Sequence, residues 1–301
     1  MNTKQKDLYN LEKEKHLELD KFYTKKSIAR KCFLELNNTL HTLNRNEDVC
    51  FIEPSAGSGV FLEVAGRSRS IGFDIEPTAE DIYKNDFLNG DISSFITDNT
   101  VFFGNPPFGK RSKLALDFIN KSFEYSDIVA FILPVQFRKW QTQKNVNLNA
   151  KLVLDLDLPE NAFEFCGEDY SVRCCFQVWL LDNKTLPDLR LKEAPPTTHN
   201  DFEMYQYNNT YGALKFFDYD WNFAVLRQGW GDYSELYFDK DELSRSKQWI
   251  FFKAKNKTVL KRLMKLDFEA LAKLNTSVKG FGKADVVKAY TKLYGQGECD
   301  E

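Results

Sequence analysis

The segment Glu53-Pro54-Ser55-Ala56-Gly57-Ser58-Gly59 joins a short apolar run to an apolar pattern of helical period. Glycines at such a strand-to-helix turn let backbone N–H groups approach a ligand, and in open α/β sheets ligands sit at the carboxyl ends of the strands. Two glycines so spaced also serve a bare tight turn. Asp74 sharpens the reading. It closes a second apolar run, Ile71-Gly72-Phe73-Asp74-Ile75-Glu76, about twenty residues past the loop, where an acid accepts both hydroxyls of a ribose. Leu62 stands where dinucleotide folds carry a third glycine, so the expected ligand is an adenosine-type group other than a dinucleotide. Asp86 and Phe87 follow a short third run. They read either as the end of that pocket, carboxylate on an adenine amino group and ring on the base, or as an ordinary turn.

Gly104-Asn105-Pro106-Pro107-Phe108-Gly109-Lys110-Arg111 follows a fourth apolar run and nearly spells a phosphate-binding loop. Arg111 replaces the Ser or Thr that would reach magnesium, and the two prolines delete backbone N–H groups that phosphates need, so an ATPase is not expected. The histidines, His16, His41 and His199, are scattered, and the six cysteines lack CxxC spacing. Histidine-based catalysis, a zinc centre and a disulfide framework are therefore not expected.

The elements that must hold these residues read as alternating strands and helices, the mark of βαβ units and a mostly parallel sheet. Strands are predicted at Val49 to Ile52, Ile71 to Ile75, Val101 to Phe103, Ile128 to Leu133, Leu152 to Leu156 and Cys174 to Leu181. Helices are predicted at Val60 to Gly66 and Lys113 to Tyr125, the latter with Leu114, Phe118, Ile119 and Phe123 at helical spacing. The pattern stops after Leu181, and the stretch from Pro187 to Pro196 reads as a linker. The expected architecture is a doubly wound α/β domain over 1–186 and a smaller α+β region over 197–301. A chain of 301 residues can bury a core of that size. No apolar run approaches the roughly 18 residues of a membrane span and the start is charged, so a soluble, cytoplasmic protein is expected.

Phe22-Tyr23-Thr24, the segment from Glu53 to Gly59, Asp74, Asp86-Phe87 and Asn105-Pro106-Pro107-Phe108 occur in that order. In this order the chain resembles the S-adenosylmethionine-dependent methyltransferases that act on the N6 amino group of adenine, over about residues 20 to 180. The resemblance implies a Rossmann-like methyltransferase sheet. It also implies S-adenosylmethionine as cofactor, held by Tyr23, Thr24, Glu53, Ser55, Gly57, Gly59, Asp74, Ile75, Asp86 and Phe87, and catalysis by Asn105, Pro106, Pro107 and Phe108. Lys25 departs from the family's usual proline, and the alternative for Tyr23-Thr24 is a helix start capped by Thr24. Under this reading the Asn105 side-chain oxygen and the Pro106 carbonyl each take one N–H of the adenine amino group, and Phe108 lies on a base swung out of the duplex. The motif order resembles that of DNA adenine methyltransferases with a recognition unit after the catalytic domain. DNA is thus the expected partner, with a companion restriction endonuclease among those the resemblance allows. The alternatives are the same chemistry on RNA adenine or protein glutamine, or a nucleic-acid-binding protein that has lost catalysis.

Extruding a base costs a few kcal/mol and one aromatic stack returns about 1 to 3 kcal/mol, so further contacts are required. The net charge of −3 hides a basic stretch: from Arg245 to Lys292 there are thirteen Lys and Arg against three acidic residues. It reads as a phosphate-facing surface or as a solvated helix face. The loop from Gly109 to Lys113 is a second candidate. Trp221, Trp230 and Trp249 are either core or contact residues, and Leu158 to Arg173 either a wall of the target-base pocket or a connection.

Overall fold

The computed structural model describes residues 22–165, 168–181, 184–275 and 278–295, and the chain divides into two compact units, 1–192 and 193–301. No described helix is long and apolar enough to cross a membrane.

In the first unit a seven-stranded sheet is built from β2 (Cys50–Glu53), β3 (Ser70–Asp74), β4 (Ile82–Lys84), β5 (Thr100–Gly104), β6 (Ile128–Pro134), β7 (Ala150–Asp157) and β10 (Cys174–Leu181). Their order is β4-β3-β2-β5-β6-β10-β7. All pairs from β4 to β6 are parallel, whereas β10 runs antiparallel to both its neighbours. This is the Rossmann-like doubly wound sheet with one reversed strand. The period-2 alternation of side chains across a strand accounts for both faces. Phe51, Val101, Phe103, Ala130 and Ile132 enter one apolar cluster with helices α1 (Lys26–Thr42) and α2 (Val60–Ala65). Ile52, Phe102, Val129, Phe131 and Leu133 enter the other with α3 (Lys113–Ser122). β6, wrapped on both faces, is buried along its whole length, as a central strand of a parallel sheet must be.

The predicted strands each fall on one of these elements, displaced by a residue or two at their ends. Not foreseen was a second, three-stranded sheet in which β1 (Tyr23–Thr24) pairs with β8 (Phe163–Phe165), and β8 with β9 (Glu168–Tyr170). The α4 helix (Trp140–Gln143) precedes β7.

The second unit is α+β. An antiparallel sheet of order β11-β13-β12, formed by β11 (Phe202–Tyr207), β12 (Phe223–Gln228) and β13 (Gln248–Ala254), packs with α5 (Lys257–Leu263), α6 (Phe268–Ala272) and α7 (Lys283–Tyr294). Its core is dense in rings: Phe223 stacks on Phe252 at 4.7 Å, and Phe268 meets both. Trp249 is 1% exposed with its indole N–H on Ser244 O, and Trp221 packs on Phe251. Trp249 is a core residue, Trp221 is half-buried against that core, and Trp230 is 90% exposed.

Candidate active site

β2 lies at the switch point of the sheet, with β3 on one side and β5 on the other, the position where open α/β sheets leave a crevice at their carboxyl ends. A cavity of about 280 Å3 opens there. It draws its walls from the β2–α2 loop, the ends of β3 and β5, the turn after β4 and the β1 segment. Eleven of the fourteen expected site residues line it: Tyr23, Thr24, Glu53, Ser55, Gly57, Asp74, Ile75, Asp86, Phe87, Asn105 and Pro107. Gly59, Pro106 and Phe108 do not.

The loop owes its shape to its glycines. Gly59, the residue before α2, has φ +79°, a left-handed value that costs a residue with a side chain roughly 1–2 kcal/mol. Gly59 thus shapes the turn without reaching the cavity. The Gly57 N–H donates to Asp74 Oδ2 and the Glu76 N–H to Asp74 Oδ1, both at 2.8 Å. These two bonds fix the carboxylate across the cavity mouth, and each oxygen keeps a lone pair for a ligand hydroxyl. Ile75, 46% exposed, follows it.

Asp86 makes a turn after β4: its carboxylate accepts from the Leu88 N–H at 3.1 Å and from the Asn89 amide at 2.8 Å. The turn and the cavity wall are therefore the same structure. Phe87 is 1% exposed, its ring set against Phe102 and Phe118, so it serves the core beneath α3 as well as the cavity.

At the floor, Glu53 is 3% exposed, and its Oε2 has no hydrogen-bond partner among the described residues. Burial, and then the nearby Asp74 carboxylate, push its pKa well above the ordinary carboxylate value. Gly104 makes room for it: a Cβ there would lie 3.0 Å from Glu53 Cγ. Asn105 follows, with its Oδ1 buried and equally without a partner. The Ser55 hydroxyl donates to the Asn105 carbonyl at 3.3 Å, tying the glycine loop to the Asn-Pro-Pro-Phe loop. Pro106 is buried behind this wall, while Phe108 packs partly against both apolar clusters of the sheet.

The β1 segment closes another side. Tyr23 reaches the glycine loop, its ring 3.4 Å from where a Gly57 Cβ would stand. Thr24 does not cap α1, whose N-cap is Lys25 without a side-chain bond; its hydroxyl is buried in the cavity wall without a partner. Phe22 stacks on Tyr170 at 4.4 Å with an interplanar angle of 9°, and Lys25 pairs with Asp169 at 2.6 Å. The stretch from Leu158 to Arg173 is thus neither a bare connection nor a free wall, because its hairpin carries the β1 segment. Lining residues outside the expected set include Phe22, which belongs to the segment named with Tyr23 and Thr24, and also Leu114 and Phe118. The last two are spaced i,i+4 at the start of α3, a signal that had been absorbed entirely into the core.

No protein-family model matches the chain, and no curated protein matches it. Similar solved structures include a provisionally assigned RNA methyltransferase from Pyrococcus horikoshii, at 19% identity and TM-score 0.37 over 49% of this chain and 81% of that one. A provisionally assigned class I S-adenosylmethionine-dependent methyltransferase from Listeria monocytogenes has 14% identity and TM-score 0.39, over 57% of this chain and 64% of that one. The type I restriction-modification methyltransferase subunit from Streptococcus thermophilus has 17% identity and TM-score 0.38, over 54% of this chain and 45% of that one.

Proposed function

We propose that this protein transfers a methyl group from S-adenosylmethionine to the exocyclic N6 of an adenine displaced from DNA. The observation that carries the reading is the pair of buried, unfilled oxygens, Asn105 Oδ1 and Glu53 Oε2, in one cavity at the switch point of the sheet. A buried polar atom left without a partner costs about 1–3 kcal/mol, a cost that a ligand bearing donors removes.

The residues fit that cofactor. Asp74 would take the ribose hydroxyls and Asp86 the adenine amino group, Phe87 and Ile75 would bound the base, and Glu53 with the Thr24 hydroxyl would receive donors of the amino-acid part. Gly57 and Ser55 hold the loop around it, and Tyr23 covers it. When bound, S-adenosylmethionine supplies an electrophilic methyl group on a sulfonium. The chain's own part is to prepare the nucleophile. An adenine amino nitrogen is a poor one because its lone pair is delocalised into the ring. Accepting one N–H at Asn105 Oδ1 and the other at the Pro106 carbonyl favours a tetrahedral nitrogen with its lone pair directed outward. The consecutive prolines restrict the loop that holds these two acceptors, and Ser55 braces it. Phe108 supplies a ring against the displaced base.

Tritium transfer from labelled S-adenosylmethionine to unmethylated duplex DNA, followed by digestion to nucleosides, tests this. The expected product is labelled N6-methyldeoxyadenosine, lost in Asn105→Ala. Label on RNA adenine or on protein glutamine in parallel reactions would transfer the same mechanism to another substrate, and no label on any of the three would leave a binding protein.

A further inference from the structure

Trp230 is 90% exposed, and a protruding indole of this size is a common anchor of binding surfaces. It stands on a loop built to hold it out. The loop follows β12 as Gln228-Gly229-Trp230-Gly231-Asp232-Tyr233. Gly229 has φ +115°, and a Cβ at Gly231 would lie 2.7 Å from Leu226 Cδ2, so neither position accepts a side chain without strain. The base of the loop is fastened. The hydroxyl of the buried Tyr233 lies 2.8 and 2.7 Å from the carbonyl oxygens of Gly229 and Lys279, which share its single proton. The Gly229 N–H donates to Lys279 O, and the Phe281 N–H to Arg227 O. An exposed aromatic on a braced loop loses little conformational entropy when it engages a ligand.

A lysine stands beside the loop. Lys247 Nζ lies 3.8 Å from where a Gly231 Cβ would stand. Arg227 is half-buried: it bonds Gln228 and Gln248 through Nη1, and its enclosed Nε has no partner among the described residues. Lys247 forms no ion pair among the described residues. Of the nearby acids, Asp232 is turned to the Ser234 N–H and hydroxyl, Asp285 accepts the Gly282 N–H, and Glu269 is paired with Lys279.

We infer that Trp230 is a stacking platform for an unpaired nucleobase, with Lys247 receiving a flanking phosphate. An exposed indole with a lysine beside it matches the chemistry of single-stranded nucleic acid, in which bases stack on rings while phosphates follow a basic surface. The inference rests on the reading of the protein as a nucleic-acid methyltransferase and assigns one recognition residue in its second unit.

The test is fluorescence anisotropy of a labelled single-stranded oligodeoxynucleotide and of the matching duplex, with the full chain and its Trp230→Ala, Trp230→Phe and Lys247→Gln variants. Thermal unfolding, expected to be unchanged for a residue this exposed, controls for folding. Trp230→Ala is expected to weaken single-strand binding between about fivefold and about a hundredfold, with Trp230→Phe retaining most of it. Trp230→Ala should leave the salt slope intact, whereas Lys247→Gln lowers it by about one. Wild-type affinity in Trp230→Ala, alongside methyl transfer by the wild type, would overturn this inference and spare the proposed function. Absence of nucleic-acid binding by the wild type would overturn both. Self-association of the chain that is lost in Trp230→Ala, with nucleic-acid binding intact, would reassign the indole to a protein contact and overturn the inference.

Discussion

Glu53 and Asn105 stand at the ends of the neighbouring strands β2 and β5 and bring to one cavity a buried oxygen each that no described residue satisfies. In a packed α/β unit that is an expensive arrangement, and it has a pH signature. Burial raises the Glu53 pKa, so as pH rises above the ordinary carboxylate value the unfolded chain releases this proton before the folded one does. Stability contributed by the protonated form is present below the unfolded pKa and is lost as pH rises through the folded pKa. Glu53→Gln carries no such slope. Its thermal midpoint should match the wild type near pH 4 and exceed it at pH 7, by about 2–4 °C for each kcal/mol relieved in a unit of this size. S-adenosylmethionine should stabilise the wild type more than the variant. Parallel unfolding curves across that pH range would show that the carboxylate is not held neutral by the fold.

Asn105→Ala removes an acceptor that acts on the nucleophile. It should lower kcat by about 100- to 1,000-fold, the usual cost of losing one preorganised hydrogen-bonding group from an active site. Cofactor affinity measured by calorimetry should change by less than about threefold, because Glu53, Asp74 and Asp86 are the proposed cofactor contacts. An equal loss in both quantities would place Asn105 in the cofactor site instead.

Much of this was legible because the sheet writes itself as alternation. Val101-Phe102-Phe103 sends its outer two residues to one cluster and Phe102 to the other, and each strand end then falls where a loop residue with chemistry follows. The direction of β10 was not legible, since an apolar run buried on both faces reads the same in either sense. Nor was β1: two residues have no period, and their partner Phe163 is far along the chain. Phe87 could not be assigned between base and core from its neighbours in sequence, and it serves as wall to both. Among the tryptophans, composition could not separate Trp230 from Trp249; the flanking glycines of Trp230 were the available signal.

Gly104→Ala probes the seat of Glu53 while keeping the carboxylate in place. The new methyl would sit 3.0 Å from Glu53 Cγ and 3.3 Å from Oε1, in a strand buried along its length. Overpacking of this kind costs about 1–3 kcal/mol. Combined with Glu53→Ala the clash is relieved, so the double variant should be more stable than the sum of the single effects. Additive losses in denaturant unfolding would mean that Gly104 is required for another reason.

The β1 segment should behave as a cover whose closure depends on the hairpin. It is held by two residue pairs of strand, Tyr23 with Glu164 and Thr24 with Phe163, by the Phe22–Tyr170 stack and by the Lys25–Asp169 pair. An aromatic pair contributes about 0.5–1.5 kcal/mol beyond its area. Tyr170→Ala should therefore speed hydrogen exchange of the β1 amides by up to about tenfold while leaving β6 unchanged. Because apparent affinity falls with the fraction of molecules in the competent form, the Kd for S-adenosylmethionine should rise by no more than that same factor, with kcat at saturation preserved. Faster exchange with an unaltered Kd would show that the segment covers the cavity without contributing to what binds there.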